Sequence, residues 1–170
     1  MQYSLRGQTM TDKIKVIITD DQKVVKIPTG IRMLVRRCCH AVLQLEGYKG
    51  SAEIGVTFTD DDGIKKVNKL YFGNDMGASV LTLPTDGVDV GTNVRYLGNV
   101  VISIEKAVQN SSVHGHSLQR EVAYLTAHGM LELFGYSYEK NGRVEMREKE
   151  EWTLYQLGLP ASSSYIAHKM

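Results

Sequence analysis

His128 and Glu132 stand four residues apart in a stretch, residues 121–139, whose apolar side chains recur at helical spacing. That separation places two side chains one above the other on a single helix face. An imidazole and a carboxylate so placed can both reach one metal ion. They can equally hydrogen-bond to each other or sit on a solvated face, the commoner use of this spacing. Tyr138 and Glu139 come just after Gly135, where a helix stops and the chain can fold back toward the same face.

Other groups with chemical capacity are spread along the chain. His114 and His116 flank Gly115. Close histidines invite a metal reading, but their place just before Ser117 favours loop and cap duty for His116. His40 reads as a partly buried polar residue, and His168 falls in the tail. Asp60, Asp61 and Asp62 precede Gly63 without the ligand spacing of an EF-hand loop, so turn or cap duty is expected. Adjacent cysteines on a helix point to different sides, so Cys38 and Cys39 read as two small buried residues in a reducing compartment. The metalloprotease pattern H-E-x-x-H is absent, because the carboxylate follows His128 by four residues rather than one. Arg32, Arg36, Arg37, Lys65, Lys66 and Lys69 would make a basic face for RNA, or an ordinary solvated helix surface.

The elements that must position these groups follow from periodicity. Residues 13–19 alternate and are β-branched, as a strand requires. Pro28 opens a helix to residue 45, with Ile31, Leu34, Val35, Cys38, Val42 and Leu45 on its inner stripe. Arg32, Arg36 and Arg37 fall largely off that stripe. A strand at 52–59 precedes a short helix carrying Ile64, Val67 and Leu70. Then come a strand at 79–83 closed by Pro84, a Gly/Asp/Thr-rich surface loop at 85–96, a strand at 97–104 and a helix at 105–110. Ser117 caps a helix that runs to residue 134, with Glu121 in its first turn. A charged last helix covers 144–157, with Trp152 and Leu154 packing inward. The order βαβαββααα gives one α+β (mixed α/β) domain, a small mixed sheet of about four strands packed with helices, with the His128 helix in its C-terminal half. That domain spans 13–160, between a polar, disordered extension at 1–12 and a mobile tail at 161–170.

The totals agree with one soluble domain. The chain has 170 residues, 42% of them hydrophobic, enough for a real core. Twenty Lys and Arg against 19 Asp and Glu leave a net charge of +1, which argues against a strongly basic nucleic-acid binder but allows a local basic face. There is no apolar run of signal-peptide or membrane-spanning length, and a cytoplasmic location is expected.

Three ordered blocks carry a family resemblance. The stretch from His128 through Gly129, Leu131, Glu132, Leu133, Gly135, Tyr136 and Ser137 to Tyr138 resembles the signature H-G-x-L-H-L-x-G-Y-D-H of the bacterial YbeY endoribonucleases. The stretch from Val67 to Pro84 is similar to that family's L-N-x-x-Y-R-x-x-D-x-P-T-D-V-L-S-F-P, and Leu97 to Ser103 to its L-G-D-I-V-I-S. The likeness runs from about Lys13 to Pro160 and takes in Met146, Glu150 and Glu151. The departures fall on charged and ligating positions. Glu132 and Tyr138 replace two zinc histidines, Phe72 the arginine, Ser79 and Asn99 two aspartates, and Ser137 the aspartate of the signature.

The resemblance implies a metal-dependent endoribonuclease that cleaves single-stranded RNA in ribosomal RNA maturation, with RNA or a ribosomal subunit as partner. His128 and Glu132 would be its catalytic metal-holding residues. Tyr138 or Glu139 would complete the ligand set, and Arg32, Arg36 and Arg37 would contact RNA. Zinc is the implied metal. A set richer in oxygen, His128–Glu132–Glu139, would turn toward manganese or magnesium, and a tyrosine ligates well only as phenolate. Phe72 can pack or stack on a base but cannot pair with phosphate. The alternative is a catalytically inactive relative that keeps the scaffold and binds RNA, the ribosome or a protein.

Overall fold

The computed structural model describes residues 12–139 and 142–161. The expected N-terminal extension and tail, His168 included, lie almost wholly outside the described residues. The elements are β1 (Ile14–Asp20), α1 (Ile31–Leu45), β2 (Ala52–Thr59), α2 (Asp61–Phe72), β3 (Val80–Pro84), β4 (Arg95–Ser103), α3 (Ile104–His114), α4 (Leu118–Leu133) and α5 (Arg143–Gln156). Their order is the one the periodicity gave, and the fold is a single α+β domain. No helix among the described residues is long and apolar enough to cross a membrane.

The sheet order is β1-β2-β4-β3. β1, β2 and β4 run parallel, and β3 pairs antiparallel with β4 at the edge. Leu97 is the extra residue of a bulge, since Glu53 pairs with Tyr96 and Ile54 with Gly98. Alternation sends Val16, Ile54, Val56, Phe58, Val100 and Ile102 to one face, all buried, where α1 and α4 cover them. Burying each such side chain is worth roughly 1.5–3 kcal/mol. The other face is more open. There Thr57, Lys66, Tyr71, Leu83 and Asn99 line a cavity of 630 Å³.

Helix ends follow local chemistry. Asp60 caps α2 by accepting from Gly63 N at 2.8 Å, so the acidic run does cap duty. Ser103 caps α3 and Ser117 caps α4, each accepting from the backbone N–H three residues on. α1 starts later than Pro28 suggested. Pro28 sits in a turn whose carbonyl accepts from Ile31 N, and Gly30 at φ 93° forms the cap. β4 begins at Arg95 because Arg95 and Tyr96 pair with Ala52 and Glu53 of β2, and α3 continues to His114, where Gly115 adopts φ 67°.

Some burial differs from the sequence reading. Cys38 and Cys39 are free and buried, as expected. His40 is exposed rather than partly buried, because it lies off the α1 stripe. Trp152 is 39% exposed rather than inward. The inner stripe of α5 is Met146, Glu150, Thr153 and Leu154, and a buried glutamate in it demands partners.

Candidate functional site

α4 is the central helix, packed against α1, α3, α5 and the β3–β4 edge. A Cβ at Gly129 would stand 2.5 Å from Val100 Cγ1, so the glycine lets α4 close onto β4 and fixes the depth of its neighbour His128. Gly135 at φ 95° then turns the chain back. Tyr136 anchors the return by donating to Glu46 Oε1 at 2.9 Å, and Lys149 meets Glu46 Oε2 at 2.9 Å. The segment after Gly135 is thereby tied to α1 and α5, and Tyr138 arrives beside His128.

Glu150 is the hub of the site. Its side chain is fully buried, and its Oε2 lies 2.6 Å from His128 Nδ1. A carboxylate only accepts, so the ring hydrogen sits on Nδ1. Tyr138 donates its hydroxyl to Glu150 Oε1, and the Tyr124 hydroxyl stands 3.3 Å from that of Tyr138. The His128 and Tyr138 rings meet edge to face at 4.8 Å. His128 Nε2 points the other way, 3.7 Å from Glu132 Oε2.

The electrostatics follow from this packing. Burial pushes the Glu132 carboxyl above its usual range, against the pull of His128 and of a hydrogen bond from Thr82. Burial, and next the hydrogen bond to Glu150, hold the Tyr138 hydroxyl far above the ordinary phenol range. On the outer side, the guanidinium carbons of Arg143 and Arg147 lie 4.9 and 5.6 Å from the Tyr138 ring centroid. Neither arginine is in an ion pair among the described residues.

The structure brings His128, Glu132 and Tyr138 together. Glu139 is exposed and does not form a close ligand-donor group with His128 and Glu132. Arg32, Arg36 and Arg37 lie on the exposed face of α1, with Arg32 3.9 Å from Asp20. Phe72 is 47% exposed at the end of α2. Asn99 precedes Val100, which faces α4, and so stands on the opposite side of the sheet from His128. Its amide lies across Gly55, where a Cβ would meet Oδ1 at 1.8 Å. Ser79 Oγ accepts from Asn110 Nδ2 near Glu121. Asn99 and Ser79 are therefore not part of the His128 network.

Two features were missed from the sequence. Glu150 sits in the run Arg147-Glu148-Lys149-Glu150-Glu151, which reads as solvated surface. Only its helical spacing from Met146 and Leu154 signals an inward position. The second is Glu121 as the shared partner of His114 and His116 at the α3–α4 turn, where the sequence favoured cap duty for His116. His114, His116 and Glu121 are the one group of three His, Cys, Asp or Glu among the described residues whose donor atoms all lie within 4.8 Å of one another. Ser117 does the capping there, and His116 instead meets buried Glu121 at 2.7 Å.

Comparison with known proteins places this geometry in context. The family model described as "Endoribonuclease YbeY" matches residues 17–158. A protein of Caldanaerobacter subterraneus named "Endoribonuclease YbeY" is 37% identical over 154 residues, covering 84% of this chain and 98% of its own length. One of Chloroflexus aggregans with the same name is 35% identical over 158 residues, covering 89% and 99%. The solution structure of a Thermotoga maritima protein shares the fold with a TM-score of 0.56 at 21% identity, over 84% of this chain and 88% of that one.

Proposed function

The chain belongs to the YbeY endoribonuclease family, and we propose that it serves ribosomal RNA maturation as an RNA-engaging member in which the zinc position has become a closed hydrogen-bond network. The observation that carries this reading is the commitment of the Tyr138 hydroxyl to Glu150, the same buried carboxylate that holds His128 Nδ1. A family-type site needs three neutral imidazoles and an open position for water. Here one imidazole remains, one ligand position carries a half-buried carboxyl and another a phenol that keeps its proton. This donor set does not fit that zinc centre.

What the residues support instead is recognition. Arg143 and Arg147 stand one helical turn apart beside Tyr138, and their planar forks suit phosphate oxygens. Phe72 and Tyr71 are exposed and offer ring faces to unstacked bases, with Lys66 and the 630 Å³ cavity beside Tyr71. Arg32, Arg36 and Arg37 offer further positive charge on the exposed face of α1. The partner is single-stranded ribosomal RNA or the ribosomal subunit that carries it.

A second reading keeps hydrolysis. His128 Nε2 and Glu132 still face each other, and with Tyr138 or Glu139 they would hold zinc, or a harder ion such as manganese or magnesium. One experiment separates the two. The purified chain is incubated with single-stranded RNA and each of the three ions, beside His128→Ala and Arg143→Ala/Arg147→Ala. The expected result is binding without cleavage, with a log K against log salt slope that falls by about one per arginine removed. Cleavage that disappears in His128→Ala would establish the second reading in its place.

A further inference from the structure

The turn between α3 and α4 presents a ligand set that the His128 network does not use. α3 ends at His114, Gly115 takes the left-handed conformation at φ 67°, and His116 follows directly. That reversal turns two histidines, one residue apart, onto the same carboxylate. Glu121 lies in the first turn of α4 with its side chain 2% exposed. Its Oε1 is 2.7 Å from His116 Nε2 and 3.7 Å from His114 Nδ1. Its Oε2 accepts from Asn110 Nδ2 at 3.3 Å, and the same amide reaches Ser79 Oγ at 3.1 Å. Asn110 thus orients the carboxylate so that Oε1 faces both rings, as an outer-shell partner does at a metal centre.

We propose that His114, His116 and Glu121 hold a divalent transition-metal ion of the zinc class, at a site separate from the His128 network. Two imidazoles and one carboxylate are a donor set that zinc accepts, with a remaining position for water. A tetrahedral ion with bonds of about 2.0–2.1 Å separates its ligand atoms by about 3.3 Å. The two carboxylate–imidazole distances, 2.7 and 3.7 Å, fall on either side of that value, and all three donor atoms lie within 4.8 Å of one another. His116 and Glu121 would form a sufficient buried pair by themselves. His114 sets the arrangement apart, because it brings a second imidazole nitrogen to within 3.7 Å of an oxygen that already has a partner. A bound ion would lock the turn from which α4 starts.

The test uses the full chain and metal alone. Zinc is titrated by calorimetry and cobalt by visible absorption into the protein and into His114→Ala, Asn110→Ala and His128→Ala, with circular dichroism to confirm folding. One ion per chain is expected in the parent and still in His128→Ala. His114→Ala should weaken that binding at least tenfold and abolish the tetrahedral cobalt band, and Asn110→Ala should weaken it by about 10–100-fold. Affinity unchanged in His114→Ala, binding abolished by His128→Ala, or no binding in the parent at millimolar zinc would each overturn the proposal. Because the readout is metal at the α3–α4 turn, failure of the RNA-binding reading leaves this result untouched.

Discussion

Tyr138→Phe removes one oxygen from the centre of the His128 network and leaves the ring in place. The lost bond runs from a half-buried hydroxyl to a fully buried carboxylate. Hydrogen bonds to charged groups contribute about 1.5–3 kcal/mol, and Glu150 would keep only His128. A loss of about 2 kcal/mol is expected, which for a chain of this size lowers Tm by about 4–8 °C. Urea unfolding should show a lower midpoint with an unchanged slope. The pH dependence gives an independent check. The Tyr138 hydroxyl is held above its unfolded value, so its contribution is complete below the unfolded pKa of about 10 and is lost as pH rises beyond it. The loss is at most about 1.4 kcal/mol per pH unit, and less where solvent screens the group. Tyr136 is also raised, and so are Cys38 and Cys39, but these remain in the variant and cancel in the difference. The gap between parent and variant should therefore narrow above pH 10. A gap below about 0.5 kcal/mol at neutral pH, within the range of an ordinary surface substitution, would mean that the Tyr138 hydroxyl does not hold Glu150 in solution.

Three further outcomes are expected. Glu132 is raised by burial, so its contribution is present below its unfolded pKa and lost as pH climbs through its folded value; the Tm of the parent relative to Glu132→Gln should fall over that window. Gly98→Ala should cost roughly 1–3 kcal/mol, read by thermal unfolding, because φ is 141° and the new Cβ would meet Leu83 O at 2.5 Å. Phe72→Arg should leave stability within about 0.5 kcal/mol, since the ring is half exposed. It should also raise the salt slope of RNA binding by about one.

Much of this was legible in the residues because it is local. The Ile31–Leu34–Val35–Cys38–Val42 stripe, the β-branched alternation of β1 and β2, and the Ser117 cap each act through neighbours in sequence, so their pattern carries their structure. The spacing of His128 and Glu132 was likewise enough to place them together. What could not be read depends on distant partners. Glu150 looks like one carboxylate in a charged helix until His128, 22 residues away, and Tyr138 are found on it. Trp152 was expected inward for its size, yet the helical phase set by Met146 and Leu154 leaves it half outside. Asn99 and Ser79 stand out in the sequence blocks just as Glu132 and Tyr138 do, but Asn99 lies on the far side of the sheet from His128 and Ser79 lies at the other end of α4, against Asn110. Sequence blocks record such replacements without saying which ones share a site.

If the Glu150–Tyr138 bond closes the family's zinc position in this chain, as proposed, zinc per chain in a His114→Ala background, where the α3–α4 turn does not contribute, will report it. Glu132→His/Tyr138→His in that background restores three imidazoles and should take up a full equivalent of zinc, while the background alone retains none after dialysis. A background chain that already holds one zinc, lost on adding His128→Ala, would mean that the position is still open and His128 still a ligand.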